Sequence, residues 1–521
     1  ARSRIAARFR RSPSGLIVAA LIVGAGAGLG AVGFRWLIFA VTWLATGHEQ
    51  FGQQGRAGSL HFPWLGIGFL VLIPVAGGLL YGPLIYRFAR EARGHGVPEV
   101  MIAVASADGK IRPQVSVVKA LASALCIGAG GSVGREGPIV QIGSALASSL
   151  GQLAKMPGPR LRVLVACGAA AGISATFNAP ATGVLFGLEL ILREFSVDAL
   201  LPLILASVVA DVVGRAFFGS APIFSQMPHN LAIAHDWQYL LVAVLGLAAA
   251  LIGTGFHAIL YKAEDICDAV WKDRPEWARP AAGGVLLGLV LLALPQMYGV
   301  GYPVMTQAIA GNEVLWFLLI LMAGKMLAAS LTIGIGGSGG VFAPSLFTGA
   351  MAGTAFGIIA GHLFGPAAGA PAIYGVIAMG AVFAAAAQAP LTAIASVAEM
   401  TGNYGLILPV MLAVAIATLL ARRLSYGTIY TRKLLRRGID IELPGDPGHA
   451  RRGTAPPPDP PLVQVSPPER DDRGNQGEQA DHDQDREVGG ADAPADLVIA
   501  DRPPQQRQVP SRPDRGDRRG E

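Results

Sequence analysis

The stretch LCIGAGGSVGREGP, residues 125–138, lies inside a strongly apolar region and yet carries Arg135 and Glu136 side by side. The chain repeats it as LTIGIGGSGGVFAP at 331–344. Leu125/Leu331, Ile127/Ile333, Gly128/Gly334, Gly130/Gly336, Gly131/Gly337, Ser132/Ser338, Gly134/Gly340 and Pro138/Pro344 match at one constant offset. Lys119/Lys325 upstream and Gly143/Gly349 downstream match at the same offset. A lysine and a glycine pattern shared within apolar sequence mark an internal duplication whose copies meet at a common point. A second pair, NAPATGVLFGLE (178–189) and QAPLTAIASVAE (388–399), keeps Pro and Glu nine residues apart in both copies. Two motifs in the same order define two related halves, roughly 30–220 and 236–430. The matches alone leave open whether these halves run parallel or inverted.

Around this core the 521-residue chain is 52% hydrophobic and only 15% charged, although its last stretch is very polar. Apolar runs of about 20 residues fit bilayer crossings, and Ala and Gly richness fits closely packed transmembrane helices. The apolar runs do not alternate, which excludes a membrane barrel. The fold class expected is therefore an all-α polytopic membrane protein. Cys126, Cys167 and Cys267 lie singly, so neither a disulfide framework nor a zinc site is expected. The net charge of +6 calls for no nucleic acid, because the basic residues cluster at the ends of the hydrophobic block. Arg2, Arg4, Arg8, Arg10 and Arg11 precede it; Arg422, Arg423, Arg432, Lys433, Arg436 and Arg437 follow it. By the positive-inside rule both termini are expected in the cytoplasm. The first apolar run, 15–46, is far too long for a signal-peptide core.

Three domains follow: a basic N-terminus (1–14), a transmembrane domain (15–440) and a Pro-, Asp-, Arg- and Gln-rich tail (441–521) whose composition predicts disorder. Within the block, apolar segments are expected near 15–46, 64–86, 161–176, 179–193 and 197–218 in the first half and 236–266, 281–298, 313–333, 341–365, 371–387, 390–401 and 404–421 in the second. Gly28, Gly30 and Gly33 spell GxGxxG, but no strand precedes them, so they read as helix-packing glycines. The segments 113–129 and 137–153, which flank GGSVGREGP, are short and glycine-interrupted. Interrupted helices in corresponding halves point to a midplane binding site.

Glu136 sits where a helix begins after a glycine turn. The first N–H groups of such a helix are unpaired and its dipole end is positive, so the place attracts anions. A carboxylate there competes with a bound anion, and protonation would release it. That makes Glu136 a gate and proton carrier; the alternative is a helix-capping acid paired with Arg135, and pattern alone keeps both readings open. GGVFAP repeats the helix start with Phe342 in place of the acid, and GHGVP (94–98) supplies a third start. Several helix starts meeting at one point form an anion path, whereas a cation path calls for carboxylate rings or carbonyl-lined loops. A rival reading comes from G-x-S-x-G, which fits both 130–134 and 336–340 and is a nucleophile pattern. An intramembrane serine hydrolase also requires a partnered histidine, and His257 and His362 are those in apolar segments. One serine suffices for catalysis, whereas packing explains two.

GREGP (134–138), GGVFAP (339–344), FNAP with the following Glu189, and APLTAI…EMTGNYGLILP (389–409) together resemble the CLC family of chloride channels and proton-coupled chloride transporters. The resemblance spans 15–440. It implies a CLC-type inverted repeat of many tilted and partly re-entrant helices, assembled as a homodimer with one pore per subunit. It makes Glu136 the external gating glutamate and lets the backbone N–H groups of Val341 and Phe342 line the anion site. Tyr430, in SYGTIYTRKLL, falls at the inner-gate tyrosine. The helix starts at GHGVP and GREGP add His95, Gly96, Val97, Arg135 and Gly137 to the anion-binding set. Helices 179–193, 197–218, 390–401 and 404–421 would form the dimer interface. No enzyme activity, metal or cofactor is implied; bound chloride, protons, lipid and a second copy are the expected partners, in a bacterial inner membrane.

Two departures from the family pattern stand out. His95 replaces the inner-gate serine of G-S-G-I-P, and an imidazole brings a different donor and a titratable charge. Leu190 occupies the internal proton-glutamate position, with Glu189 one residue earlier. One helical step turns a side chain by about 100°, so Glu189 is not an automatic substitute, although it is the acid nearest an inner proton route. Chloride/proton exchange is the leading expectation, and a passive Glu136-gated chloride channel the alternative.

Overall fold

The computed structural model describes residues 12–49, 51–54, 58–227, 231–311 and 313–441. The arginines before residue 12 and the polar tail beyond residue 441 lie outside the described residues. Those described form helices joined by glycine- and proline-rich turns, with isolated bridges but no strand. Nine helices among them are long and apolar enough to cross a membrane.

The helices are α1 (Pro13–Thr46), α2 (Phe69–Phe88), α3 (Val97–Ser106), α4 (Gln114–Gly128), α5 (Glu136–Leu153), α6 (Gly158–Phe177), α7 (Pro180–Phe186) and α8 (Val197–Phe218). Then follow α9 (Gln238–Val270), α10 (Arg279–Ala293), α11 (Tyr302–Ile309), α12 (Leu315–Gly334), α13 (Phe342–Phe364), α14 (Pro371–Ala387), α15 (Pro390–Thr401), α16 (Ile407–Leu424) and the short α17 (Arg432–Leu435). The sequence reading differs at one place. It ran an apolar segment to residue 298, whereas α10 stops at Ala293 and a separate helix, α11, begins at Tyr302. Pro295 and the positive-φ glycines Gly299 and Gly301 break the run.

The order of elements repeats. α1 packs on α6 and α8 as α9 packs on α14 and α16; α5 packs on α6 as α13 packs on α14. The turns repeat as well. Gly130 and Gly336 both stand in the left-handed region (φ 99 and 96) before the second helix of each motif. α6 ends on left-handed Asn178 and α14 on left-handed Gln388. In lipid no hydrophobic drive holds helices together, so close packing of small residues must. Gly143 on α5 and Gly168 on α6 face each other, and neither has room for a Cβ.

Large apolar side chains such as Leu29, Leu80, Leu251 and Leu319 remain exposed on the outer surface, where acyl chains would cover them. α14, by contrast, buries nearly every residue. The glycine motifs lie at helix ends: GGSVG follows α4 and precedes α5, GGSGG follows α12 and precedes α13, and GHGVP precedes α3.

Candidate anion and proton site

The glycine motifs meet through their backbones. The Gly134 N–H donates to the Gly340 carbonyl at 2.8 Å, and the Gly340 N–H donates back to Gly134 at 2.6 Å. A reciprocal antiparallel bridge between two residues that match in the duplication places a two-fold axis between them. The GHGVP loop joins the same cluster: the Gly94 N–H donates to the Gly337 carbonyl at 3.0 Å, and the Gly94 carbonyl accepts from the Gly339 N–H at 3.3 Å. Only glycine fits where these chains cross. A Cβ on Gly137 would strike the His95 carbonyl, and one on Gly96 would lie 2.8 Å from the Gly137 carbonyl.

Two buried lysines, Lys119 and Lys325, pin the loops. Lys119 Nζ donates to the carbonyls of Ala92 (2.9 Å) and Gly94 (2.8 Å). Its counterpart Lys325 donates to the Gly299 carbonyl and to Ser132 Oγ, both at 2.9 Å. An ammonium is tolerated at such depth because its donors are satisfied by carbonyls and hydroxyls. The loop held by Lys325 reads GVGYP (299–303) and leads into α11, just as GHGVP leads into α3. The sequence reading missed this third duplicated motif, although the shared G-x-G-x-P spelling carries its signal. Four helix starts, those of α3, α5, α11 and α13, thus surround one buried region.

Glu136 occupies it. The residue is 1% exposed, and its Oε1 accepts from the Tyr302 hydroxyl at 2.5 Å. Oε2 has no hydrogen-bond partner and fills the space left by the missing side chain of Gly134, beside Ala343. Arg135 is not paired with it through a salt bridge. Its Nη2 donates to the Thr176 carbonyl at 3.2 Å, and its guanidinium lies 5.5 Å from the Tyr302 ring centroid.

The other residues expected at the anion site are buried. Val97, Val341, Phe342 and Tyr430 are 1–2% exposed, and Phe342 packs on Phe177 and Phe383 at centroid distances of 5.2 and 4.3 Å. His95 is fully buried, and neither ring nitrogen has a hydrogen-bond partner. Tyr430 follows Ile429, whose N–H is fixed by the Ala386 carbonyl and whose carbonyl is fixed by the Tyr261 hydroxyl. Beyond the spans, burial lowers Lys433 from the ordinary lysine value while the Glu99 carboxylate opposes that shift. Glu189 lies elsewhere, against the start of α15, and Leu190 beside it is buried. The two G-x-S-x-G serines are engaged in packing: Ser132 Oγ accepts from Lys325, and Ser338 Oγ is shared with Ser123 and the Ala92 carbonyl.

Fold and site together define an integral membrane protein made of a duplicated helical unit whose centre presents helix N-termini. The family model described as voltage gated chloride channel matches residues 77–422. A protein of Ralstonia nicotianae that carries the name chloride channel protein ClcB-like is 34% identical, over 82% of this chain and 99% of its own length. The H(+)/Cl(-) exchange transporter ClcA of Vibrio parahaemolyticus is 32% identical, over 82% of this chain and 90% of its own. Among solved structures, a slow cyanobacterial Cl-/H+ antiporter superposes with a TM-score of 0.71 at 28% identity, covering 81% of this chain and 97% of that one. A CLC-type fluoride/proton antiporter shares the fold with a TM-score of 0.65 at 22% identity. The chain belongs to the voltage gated chloride channel family and has the CLC fold, with its two halves inverted. It is a transport protein and not an enzyme.

Proposed function

We propose that this chain exchanges chloride for protons across a bacterial plasma membrane, with Glu136 as both gate and proton carrier. One observation carries the reading: the Glu136 carboxylate lies buried among helix starts, where an anion would lie. Ionised, the carboxylate occupies the place at the helix starts that an anion would take and keeps chloride out of it. Protonated, it loses its charge, leaves that place to chloride and takes a proton along. The exchange activity named for the ClcA relatives and for the 28% identical antiporter supports the same reading.

In this scheme chloride is cargo. The backbone N–H groups of Gly96, Val97, Gly137, Val341 and Phe342 hold it, with His95, Arg135 and the Tyr430 hydroxyl around it. The transmembrane domain (15–440) works as a homodimer with one pore per subunit and both termini in the cytoplasm. Exposed apolar residues on α8 and α15–α16, among them Leu201, Val208, Leu391, Leu408 and Met411, supply its contact face.

The test is purified protein in liposomes under an outward chloride gradient, with external pH recorded alongside anion efflux. Protons driven against their own gradient establish exchange, whereas fast chloride efflux without protons establishes a channel. Glu136→Gln should keep anion efflux and abolish coupled proton movement; wild-type coupling in that variant refutes the assignment.

A further inference from the structure

The side chain that hydrogen-bonds the gate carboxylate comes from the opposite half of the molecule. Tyr302 begins α11 immediately after left-handed Gly301, and its hydroxyl donates to Glu136 Oε1 at 2.5 Å. The ring cannot swing freely. It packs edge-on against Phe177 (6.4 Å) and Phe224 (5.8 Å), with the Arg135 guanidinium over its face. Tyr302 also lines a cavity of about 450 Å³ walled by Arg35, Arg135, Asn178, Asp211 and Arg215, and Glu136 does not line it. The phenol therefore stands between that cavity and the carboxylate.

Nothing in the duplication requires a hydroxyl here. The counterpart of Tyr302 in GHGVP is Val97, and no tyrosine follows the glycines of that motif. We propose that Tyr302 is the latch of the Glu136 gate: its phenol holds the carboxylate in the closed position and lets go when the carboxylate is protonated. The proposal rests on reading Glu136 as the gate. Its physical basis is that a hydrogen bond to an ionised acceptor is stronger than one to a neutral acceptor, so the latch grips the charged form and not the acid. The other charged and titratable groups within electrostatic reach of Glu136 are Arg135, Lys325 and Tyr430, and Arg35 joins Arg135 near Tyr302. All of them remain when only the phenol oxygen is removed.

Tyr302 is thus a positioning residue, and pH dependence is its readout. Removing a donor to the charged form makes the carboxylate easier to protonate. Tyr302→Phe in the full chain should move half-activation of chloride efflux toward higher external pH by about one unit, or about tenfold at a fixed pH above the midpoint. A fluorotyrosine at 302, a stronger donor, should move it the other way while keeping the packing. Added to Glu136→Gln, Tyr302→Phe should change nothing. An unmoved pH profile in both 302 variants overturns the latch, and so does a shift that persists in the Glu136→Gln background. Glu136→Gln that behaves as wild type overturns the gate reading itself and the latch with it, a result distinct from the other two.

Discussion

Glu189 and Glu399 cap each other's half of the molecule. The Glu189 carboxylate accepts the N–H groups of Leu391 (3.1 Å) and Thr392 (2.8 Å) and the Thr392 hydroxyl (2.7 Å) at the start of α15. The Glu399 carboxylate accepts those of Ala181 (2.9 Å) and Thr182 (2.7 Å) and the Thr182 hydroxyl (2.6 Å) at the start of α7. Proline at the first position of both helices costs no donor there, so each carboxylate meets the next two N–H groups. The exchange also reinforces the two-fold relation that Gly134 and Gly340 set at the centre.

Because the two caps are equivalent, Glu189→Gln and Glu399→Gln should each cost about 1 kcal/mol of stability, the ordinary worth of a helix N-cap. Unfolding by SDS titration measures it, and a cost on one side only would break the equivalence. Liposome assays of Glu189→Gln serve a second purpose. Proton movement should survive if capping is the whole task of this carboxylate. Lost proton movement at unchanged exchange of anions would put Glu189 on the inner proton route that Leu190 leaves without an acid.

These caps show what a sequence of this kind reveals and what it conceals. The long helices were legible because a bilayer demands about 20 apolar residues in a row, and 15–46 supplies them without a break. The GGSVG and GGSGG turns were legible because the duplication spells them twice. The matching acids Glu189 and Glu399 were visible too, but their task was not. Each caps a helix some two hundred residues away, and only the folded two-fold brings acid and helix start together. α11 was missed because its eight residues, hemmed in by Pro295, Gly299 and Gly301, carry too short an apolar pattern to separate from α10. Tyr302 was lost with it, although the G-x-G-x-P spelling shared with GHGVP offered the signal.

Gly134 makes room for the gate. Glu136 Oε2 fills the place where its Cβ would be, and the Cβ of Ala343 lies 3.2 Å from the same point. Gly134→Ala should therefore expel the carboxylate from its closed position without removing the acid. The expected phenotype resembles loss of Glu136: coupled proton movement falls at least about tenfold, and anion efflux no longer responds to external pH. Flux assays in liposomes at several external pH values check this. A variant that stays coupled and pH-sensitive would show that the carboxylate has another closed position.

His95 is the residue at which this chain departs most plainly from the serine of the G-S-G-I-P pattern, and its surroundings give it nothing to bond. The ring is fully buried, 6.3 Å from the Tyr261 ring centroid, and both nitrogens lack partners. Leaving a buried polar group unpaired costs about 1–3 kcal/mol, so a partner that arrives only during transport would recover that cost. A passing anion is such a partner for an imidazole N–H. His95→Ser should then alter the relative rates for chloride, nitrate and fluoride by up to about tenfold, the worth of one hydrogen bond gained or lost. His95→Leu, which removes the unpaired nitrogens, should raise stability in the SDS titration while lowering anion flux. An unchanged selectivity series in His95→Ser would place the ring outside the anion path, and a destabilised His95→Leu would mean that the imidazole is needed by the fold.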